Sequence, residues 1–287
     1  MRYILNCKIH SLTSDQVFQQ IYESLKTGSK RRIITVNSEY VLEARKDKNF
    51  QNIINNSDLT VADGIGILWA AKFQSLPVSS NVIIRAIQCV AQYTWTGGSL
   101  MFWPKYCRTI IPERISGIKI SQSVISSQLT VTDKPRIFLL GGYNGVAEKI
   151  RKKFSWSNIV GTYEGAPESK DDTIKACEII NRAEPDILFV AYGNPASRQE
   201  KWIEENLPKL SSVKIAMGVG GSFNFLAGNI ARAPKWIQRI GLEWLWRLIR
   251  EPKRIKRIFN AVIVFSLIAL REKIISNSQI TQISNEK

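Results

Sequence analysis

Short, nearly continuous apolar runs alternate with amphipathic stretches along most of this chain. The first strong helical signal is the segment after Thr13, where Val17, Ile21 and Leu25 recur every fourth residue and Gly28 closes the run. Met1–Cys7 is read as a short strand before it, and Arg32–Val36 as a buried strand ending in Thr35, Asn37 and Ser38. A helix is expected over Glu39–Ile54, followed by an apolar strand, Leu59–Ile67, that delivers Asp63 into a Gly-x-Gly turn. Further on, strands are predicted at Pro135–Leu140, Asn158–Thr162, Asp186–Tyr192 and Val213–Val219. The intervening helices are predicted at Val146–Phe154, Asp172–Arg182 and Arg198–Asn206. Repeated strand–helix units with continuously apolar strands predict an α/β, Rossmann-like, mostly parallel sheet covered on both faces. Ligands of such sheets bind at the carboxyl ends of the strands.

Two segments depart from this rhythm. Residues 73–111 contain no Asp or Glu and carry Tyr93, Trp95, Phe102, Trp103 and Tyr106 around Gly97 and Gly98. They are read as an inserted hydrophobic hairpin, packed on the core or dipping into a membrane interface beside Arg85, Lys105 and Arg108. The second is the stretch 217–257, a strand and glycine turn followed by Trp236, Trp244, Trp246, Arg247, Arg250, Arg254 and Arg257. The spacing of Arg247, Arg254 and Arg257 puts them on one face of a helix. The apolar run Ile258–Leu270 is 13 residues, roughly 20 Å as a helix. That length predicts lying in a membrane interface rather than spanning the bilayer. The organisation expected is a catalytic α/β domain over 1–243 and a basic, amphipathic, membrane-associating appendage over 244–287, frayed over residues 276–287.

Composition narrows the partners. A chain of 287 residues with 44% apolar content can bury a full core, and its formal charge of +16 calls for an anionic partner. Because the charge concentrates in the arginine segment rather than on a base-stacking sheet, an anionic membrane surface or a phosphorylated substrate is favoured and nucleic acid is not expected. Cys7, Cys89, Cys107 and Cys177 are scattered, which excludes a zinc knuckle and fits a reducing cytosol. With His10 as the one histidine, Ser-His triads and His-based metal sites have no material, and the general base is expected to be a carboxylate. The first ten residues lack the pattern of a secretory signal, so the protein is expected in the cytoplasm, peripheral to the membrane.

The strand ends carry the candidate chemistry. Asp63 stands where a partly buried carboxylate can act as a general base, or alternatively caps the turn that follows. The turn GGYNG, with Gly142 and Tyr143, either presents backbone amides to a phosphate or is a tight structural turn. Its alternative as a dinucleotide-binding turn has Glu164 at the spacing of a ribose-binding acid. In the segment Gly193–Ile203, Glu200 suits a helix start, whereas Gln199 at a strand end suits contact with a uracil or a sugar hydroxyl. Gly220 lies in a turn where backbone approaches a ligand closely.

The motifs TVNSEYV (35–41), ADGIGI (62–67), PERISG (112–117), FLLGG (138–142), the Gln199–Glu200 pair before Trp202, GVGGSF and the long block AGNIARAPKWIQRIGLEWLWRLIREPKR resemble the WecG/TagA/CpsF glycosyltransferases of bacterial surface polysaccharide and teichoic acid synthesis. The resemblance implies inverting transfer of a sugar, typically N-acetylmannosamine or a relative, from a UDP-sugar to a polyprenyl-diphosphate-linked acceptor at the cytoplasmic membrane, without a metal or other cofactor. It gives Asp63 the role of base with Thr35 and Asn37 beside it, and gives Arg247, Arg254 and Arg257 a diphosphate of donor or acceptor. Four features depart from the family pattern: the stretched spacing of Gly193–Glu200, Asn224 in place of an Asp, Lys119 in place of an acid after Gly117, and residues 73–111 as an insertion. Two competing readings are a nicotinamide-dependent oxidoreductase built on GGYNG and Glu164, and a non-catalytic basic membrane adaptor. A homo-oligomer is left open.

Overall fold

The computed structural model describes residues 1–126, 134–164, 169–193, 195–234, 237 and 243–275. Trp236 and the tail 276–287 lie outside the described residues. A hairpin of β1 (Arg2–Ile4) and β2 (Cys7–Ile9) precedes the main sheet, so the single strand expected at the start is two, turning at Leu5 and Asn6. Strands β3 (Arg31–Val36), β4 (Leu59–Ala62), β5 (Ile137–Gly141), β6 (Ile159–Tyr163), β7 (Ile187–Ala191) and β8 (Ile215–Gly218) form one sheet in the order β4-β3-β8-β7-β5-β6. Every neighbouring pair in it is parallel.

Period-2 alternation divides the core between the two faces. Ile33, Leu59, Val61, Leu139, Phe189 and Met217 pack on one side, under α1 (Ser14–Thr27), α6 (Gly117–Ile125), α7 (Val146–Lys153) and α10 (Ser222–Ala227). Ile34, Val36 and Ala62 face α2 (Ser38–Ala44), α3 (Lys48–Asn55) and α4 (Ile65–Ser75) on the other. Beyond them, Phe138, Leu140, Leu188 and Val190 pack beneath α8 (Lys170–Ala183) and α9 (Ala196–Asn206). The helix expected over 39–54 is thus two, because Asp47 accepts the amide of Phe50 at 3.0 Å and starts a new helix.

Residues 73–111 do not form a turn at the glycine pair. They complete α4 and then build α5 (Val82–Phe102), 21 residues long, with Gly97 and Gly98 inside it and Asn81 capping its first turn. The arginine segment also differs from one continuous helix. It consists of α11 (Glu243–Arg250), a 3₁₀ turn at Pro252–Arg254, α12 (Ile255–Phe259), a π-helical turn at Asn260–Val264 and α13 (Phe265–Ile275). Pro252 ends the first helix because it cannot donate to the preceding turn and clashes with it. Phe265 and Ala269 are fully buried against the Trp69 and Phe73 side of the core, with Trp69 and Phe265 rings 6.5 Å apart. Among the described residues, no helix is long and apolar enough to cross a membrane.

Candidate active site

The strand ends and the arginine segment enclose a cavity of about 780 Å³. Asp63 closes β4. Its amide donates to the carbonyl of Val36 at 2.8 Å, and its Oδ2 accepts the amide of Gly117 at 3.4 Å. Burial pushes the Asp63 carboxyl up to about 6, against the pull of the Arg114 guanidinium and of the Gly117 amide. Thr35, at the end of β3, is buried beside it, and a Cβ on Gly117 would lie 3.5 Å from Thr35 Oγ1. Asn37 caps α2 by accepting the amide of Tyr40 at 3.1 Å, which leaves its amide nitrogen for the cavity it lines.

Gln199 and Glu200 have different surroundings. Gln199 lines the cavity and is fully engaged: Oε1 accepts the Gly220 amide at 3.1 Å, while Nε2 donates to Tyr40 Oη at 2.8 Å and to Glu200 Oε1 at 3.2 Å. Glu200 lies behind the wall rather than on it, buried to 2% exposure, accepting also from Tyr40 Oη at 3.0 Å. Burial pushes its carboxyl up to about 7, while the bonds from Tyr40 and Gln199 pull it down. The pair therefore fixes the turn after β8 rather than presenting free polar groups. Gly218 is required here, since a Cβ would overlap Glu200 Oε1 and Gln199 Nε2, both fixed by their hydrogen bonds.

Gly142 and Tyr143 line the cavity from the β5 turn, with Gly141, Gly142, Asn144 and Gly145 all in the left-handed region and Tyr143 largely exposed. Glu164 does not line it. Arg247, Arg254 and Arg257 also line the cavity, brought together although their helix is broken. A Cβ on Gly221 would lie 3.5 Å from Arg247 Nη2 and 3.9 Å from Arg254 Nη2, so both guanidiniums reach the turn after β8. Glu251 bridges them, 2.8 Å from Arg254 Nε and 3.6 Å from Arg247 Nε, and Arg257 pairs with Glu39.

Two residues at the site had no individual role in the sequence reading. Arg114 and Glu243 line the cavity and pair at 2.7 Å across 129 residues of chain. The motifs containing them were visible, but their meeting depends on tertiary folding. Of the departures, Asn224 lines the cavity and accepts from Asn229 at 3.2 Å, whereas Lys119 reaches Ser14 Oγ at 2.6 Å and Glu113 at 2.5 Å and does not line it. Among the described residues no group of His, Cys, Asp and Glu is placed to hold a metal ion.

A carboxylate of raised basicity, glycine turns at the ends of parallel strands and a wall of guanidiniums define a site for group transfer on anionic substrates. The chain belongs to the Glycosyl transferase WecG/TagA/CpsF family, whose model matches residues 2–88 and 83–279. It is 30% identical over 245 residues to an N-acetylglucosaminyldiphosphoundecaprenol N-acetyl-beta-D-mannosaminyltransferase of Bacillus subtilis (strain 168), covering 84% of this chain and 79% of that protein. It is 26% identical over 270 residues to a protein of the same name from Staphylococcus aureus (strain MRSA252), covering 91% of this chain and 90% of that one. The chain is a glycosyltransferase.

Proposed function

We propose that this glycosyltransferase moves an N-acetylmannosaminyl or related hexosyl group from a UDP-sugar to a sugar hydroxyl on a polyprenyl-diphosphate-linked acceptor, with inversion. The observation that carries the reading is Asp63, a half-buried carboxylate held up to about 6, lining one cavity together with three arginines. Asp63 takes the proton of the acceptor hydroxyl as the hydroxyl oxygen bonds to the anomeric carbon and the bond from that carbon to the UDP oxygen breaks. Glu243 is less suited to be the base, because its two oxygens already face Arg114 at 2.7 Å and Arg232 at 3.8 Å rather than open cavity. The backbone amides of the turns after β5 and β8 receive the departing UDP diphosphate, and Arg247, Arg254 and Arg257 hold the diphosphate of the acceptor. The relatives named above act on N-acetylglucosaminyldiphosphoundecaprenol, which supports this acceptor class.

The test is a screen of UDP-sugars against a short-chain diphosphate-linked N-acetylglucosamine acceptor, with calorimetric titration of UDP and NAD alongside. Transfer from a UDP-sugar, with UDP bound and NAD not, is expected. Absence of UDP binding and of transfer from every UDP-sugar would overturn the donor and acceptor proposed here.

The same reading places the cavity mouth on a phospholipid surface. Ile255, Phe259, Ile263 and Leu267 recur every fourth residue along α12, the π turn and α13, and all are exposed. Ile83, Ile87 and Val90 are exposed along α5, which packs against α13, and Lys253, Lys256 and Arg271 border the helices. Apolar stripes rimmed by cations suit anionic head groups. Truncating the appendage would also remove Phe265 and Ala269 from the core, so surface substitutions are the cleaner probe. Phe259→Asp with Leu267→Asp is expected to weaken binding to anionic vesicles by about tenfold or more, with the far-ultraviolet spectrum unchanged. Vesicle flotation of the full chain measures it, and full retention would remove these two positions from the contact.

A further inference from the structure

The cavity has two chemically different ends. One is the polar end at the strand termini. The other is an apolar arm between α4, α5 and the C-terminal helix, walled by Trp69, Gly97, Leu100, Met101, Val262 and Ile263. The polar groups within the arm satisfy one another: Tyr93 Oη and Ser266 Oγ lie 2.9 Å apart, and Trp69 Nε1 donates to Thr96 Oγ1 at 2.9 Å. An arm without a free polar partner does not suit a sugar or a base.

We propose that this arm is the binding subsite for the isoprenoid tail of the acceptor, taking the units next to the diphosphate. The inference rests on the acceptor class proposed above and adds the place of its lipid. Continuity supports it. Arg254 and Arg257 lie just before the π turn whose residues Ala261, Val262 and Ile263 wall the arm, so the guanidiniums and the apolar wall are carried on adjoining turns of one segment and line one cavity. The π turn widens the helix where that wall is made, a local feature common at functional sites.

Gly97 is the opening on the opposite wall: a Cβ there would meet no atom within 4 Å. Met101 and Ile263, at the edge of the arm, are 55% and 42% exposed. A tail longer than the arm therefore leaves between them, toward the surface that carries the exposed stripes. The arm depends on α5, so acceptor-tail selectivity is expected to follow this helix.

The experiment compares farnesyl diphosphate with methyl diphosphate as probes, titrated calorimetrically into the full chain without vesicles or detergent. Surface delivery then contributes nothing. Farnesyl diphosphate is expected to bind at least about tenfold more tightly, since several buried CH₂ groups each contribute apolar transfer energy. Gly97→Leu fills the arm with a better helix former and is expected to bring the ratio close to one. Gly98→Leu, the same change one residue on and outside the cavity wall, also meets no atom at Cβ and is expected to keep the wild-type ratio. Equal affinity for both probes in the wild type, or a ratio unchanged by Gly97→Leu, would overturn the proposal. A ratio lost equally in both leucine variants would overturn it too, by tracing the preference to α5 as a whole. Because the readout is binding, a protein that prefers farnesyl diphosphate but transfers no sugar would keep this subsite and overturn the transfer reading instead.

Discussion

Replacing Asp63 by Asn is expected to lower kcat for sugar transfer by about 10² to 10⁴, the usual contribution of a positioned general base. The amide is nearly isosteric and can still accept the Gly117 amide, so the cavity keeps its shape while losing the proposed base. In the wild type the acid limb of kcat/KM should fall tenfold per pH unit below about 6, where burial has placed the Asp63 carboxyl. The same substitution should stabilise the fold. Asp63 binds its proton more tightly folded than unfolded, so the folded state binds more protons between about pH 4 and 6 and stability falls as pH rises through that window. The cost is complete above it and absent below it. The Asn variant should therefore gain up to about 3 kcal/mol near neutral pH and approach wild-type stability toward pH 4. Thermal melts at pH 7.5 and 4.5, with single-turnover assays, check both halves. Wild-type turnover in the variant would transfer the base role to another group, with Glu243, a cavity-lining carboxylate whose charge acts on Asp63, the next to replace.

The strands of this sheet were legible because parallel strands buried on both faces are apolar at every position, and Ile33, Ile34, Leu139, Leu140, Val190 and Met217 are all inside. Their ends were legible because polar and glycine residues follow each run, and that is where Thr35, Asp63, Gly142 and Gly220 line the cavity. What was hidden depended on partners distant in sequence. The apolar content of residues 73–111 fits a hairpin or a helix equally well, and the glycine pair looked like a turn. Packing of α5 against α4 and α13 decides for a helix. Seven-and-three spacing did place Arg247, Arg254 and Arg257 at one site, but not on one helix: Pro252 breaks it, and the turn that follows returns Arg254 and Arg257 to the cavity. The Gln199–Glu200 pair was legible as a motif, whereas its bonding to Tyr40 and Gly220 was not, because neither partner is near it in sequence.

Arg254→Ala should raise the acceptor KM by about 10- to 100-fold, the cost of one or two charge-assisted hydrogen bonds, with a smaller change in kcat. The physical reason lies in how crowded this wall is. Burial, and then the neighbouring Arg247 and Arg257, lower the pKa of Arg254, while Glu251 opposes them. One carboxylate thus serves two guanidiniums, Arg254 at 2.8 Å and Arg247 at 3.6 Å, and the wall keeps an excess of positive charge that a diphosphate would neutralise. Removing Arg254 relieves that repulsion in the free protein, so the variant should fold as well as the wild type while binding the anion less tightly. Arg254→Lys should recover only part of the loss, because an ammonium restores the charge but not the two-pronged geometry. Added salt should raise the acceptor KM of the wild type more steeply than that of the variant, since fewer charges are left to screen. Initial rates against acceptor concentration at two ionic strengths test all of this. A fall in kcat at unchanged KM would instead place Arg254 on the departing UDP, where it would act in the transition state rather than in binding the acceptor.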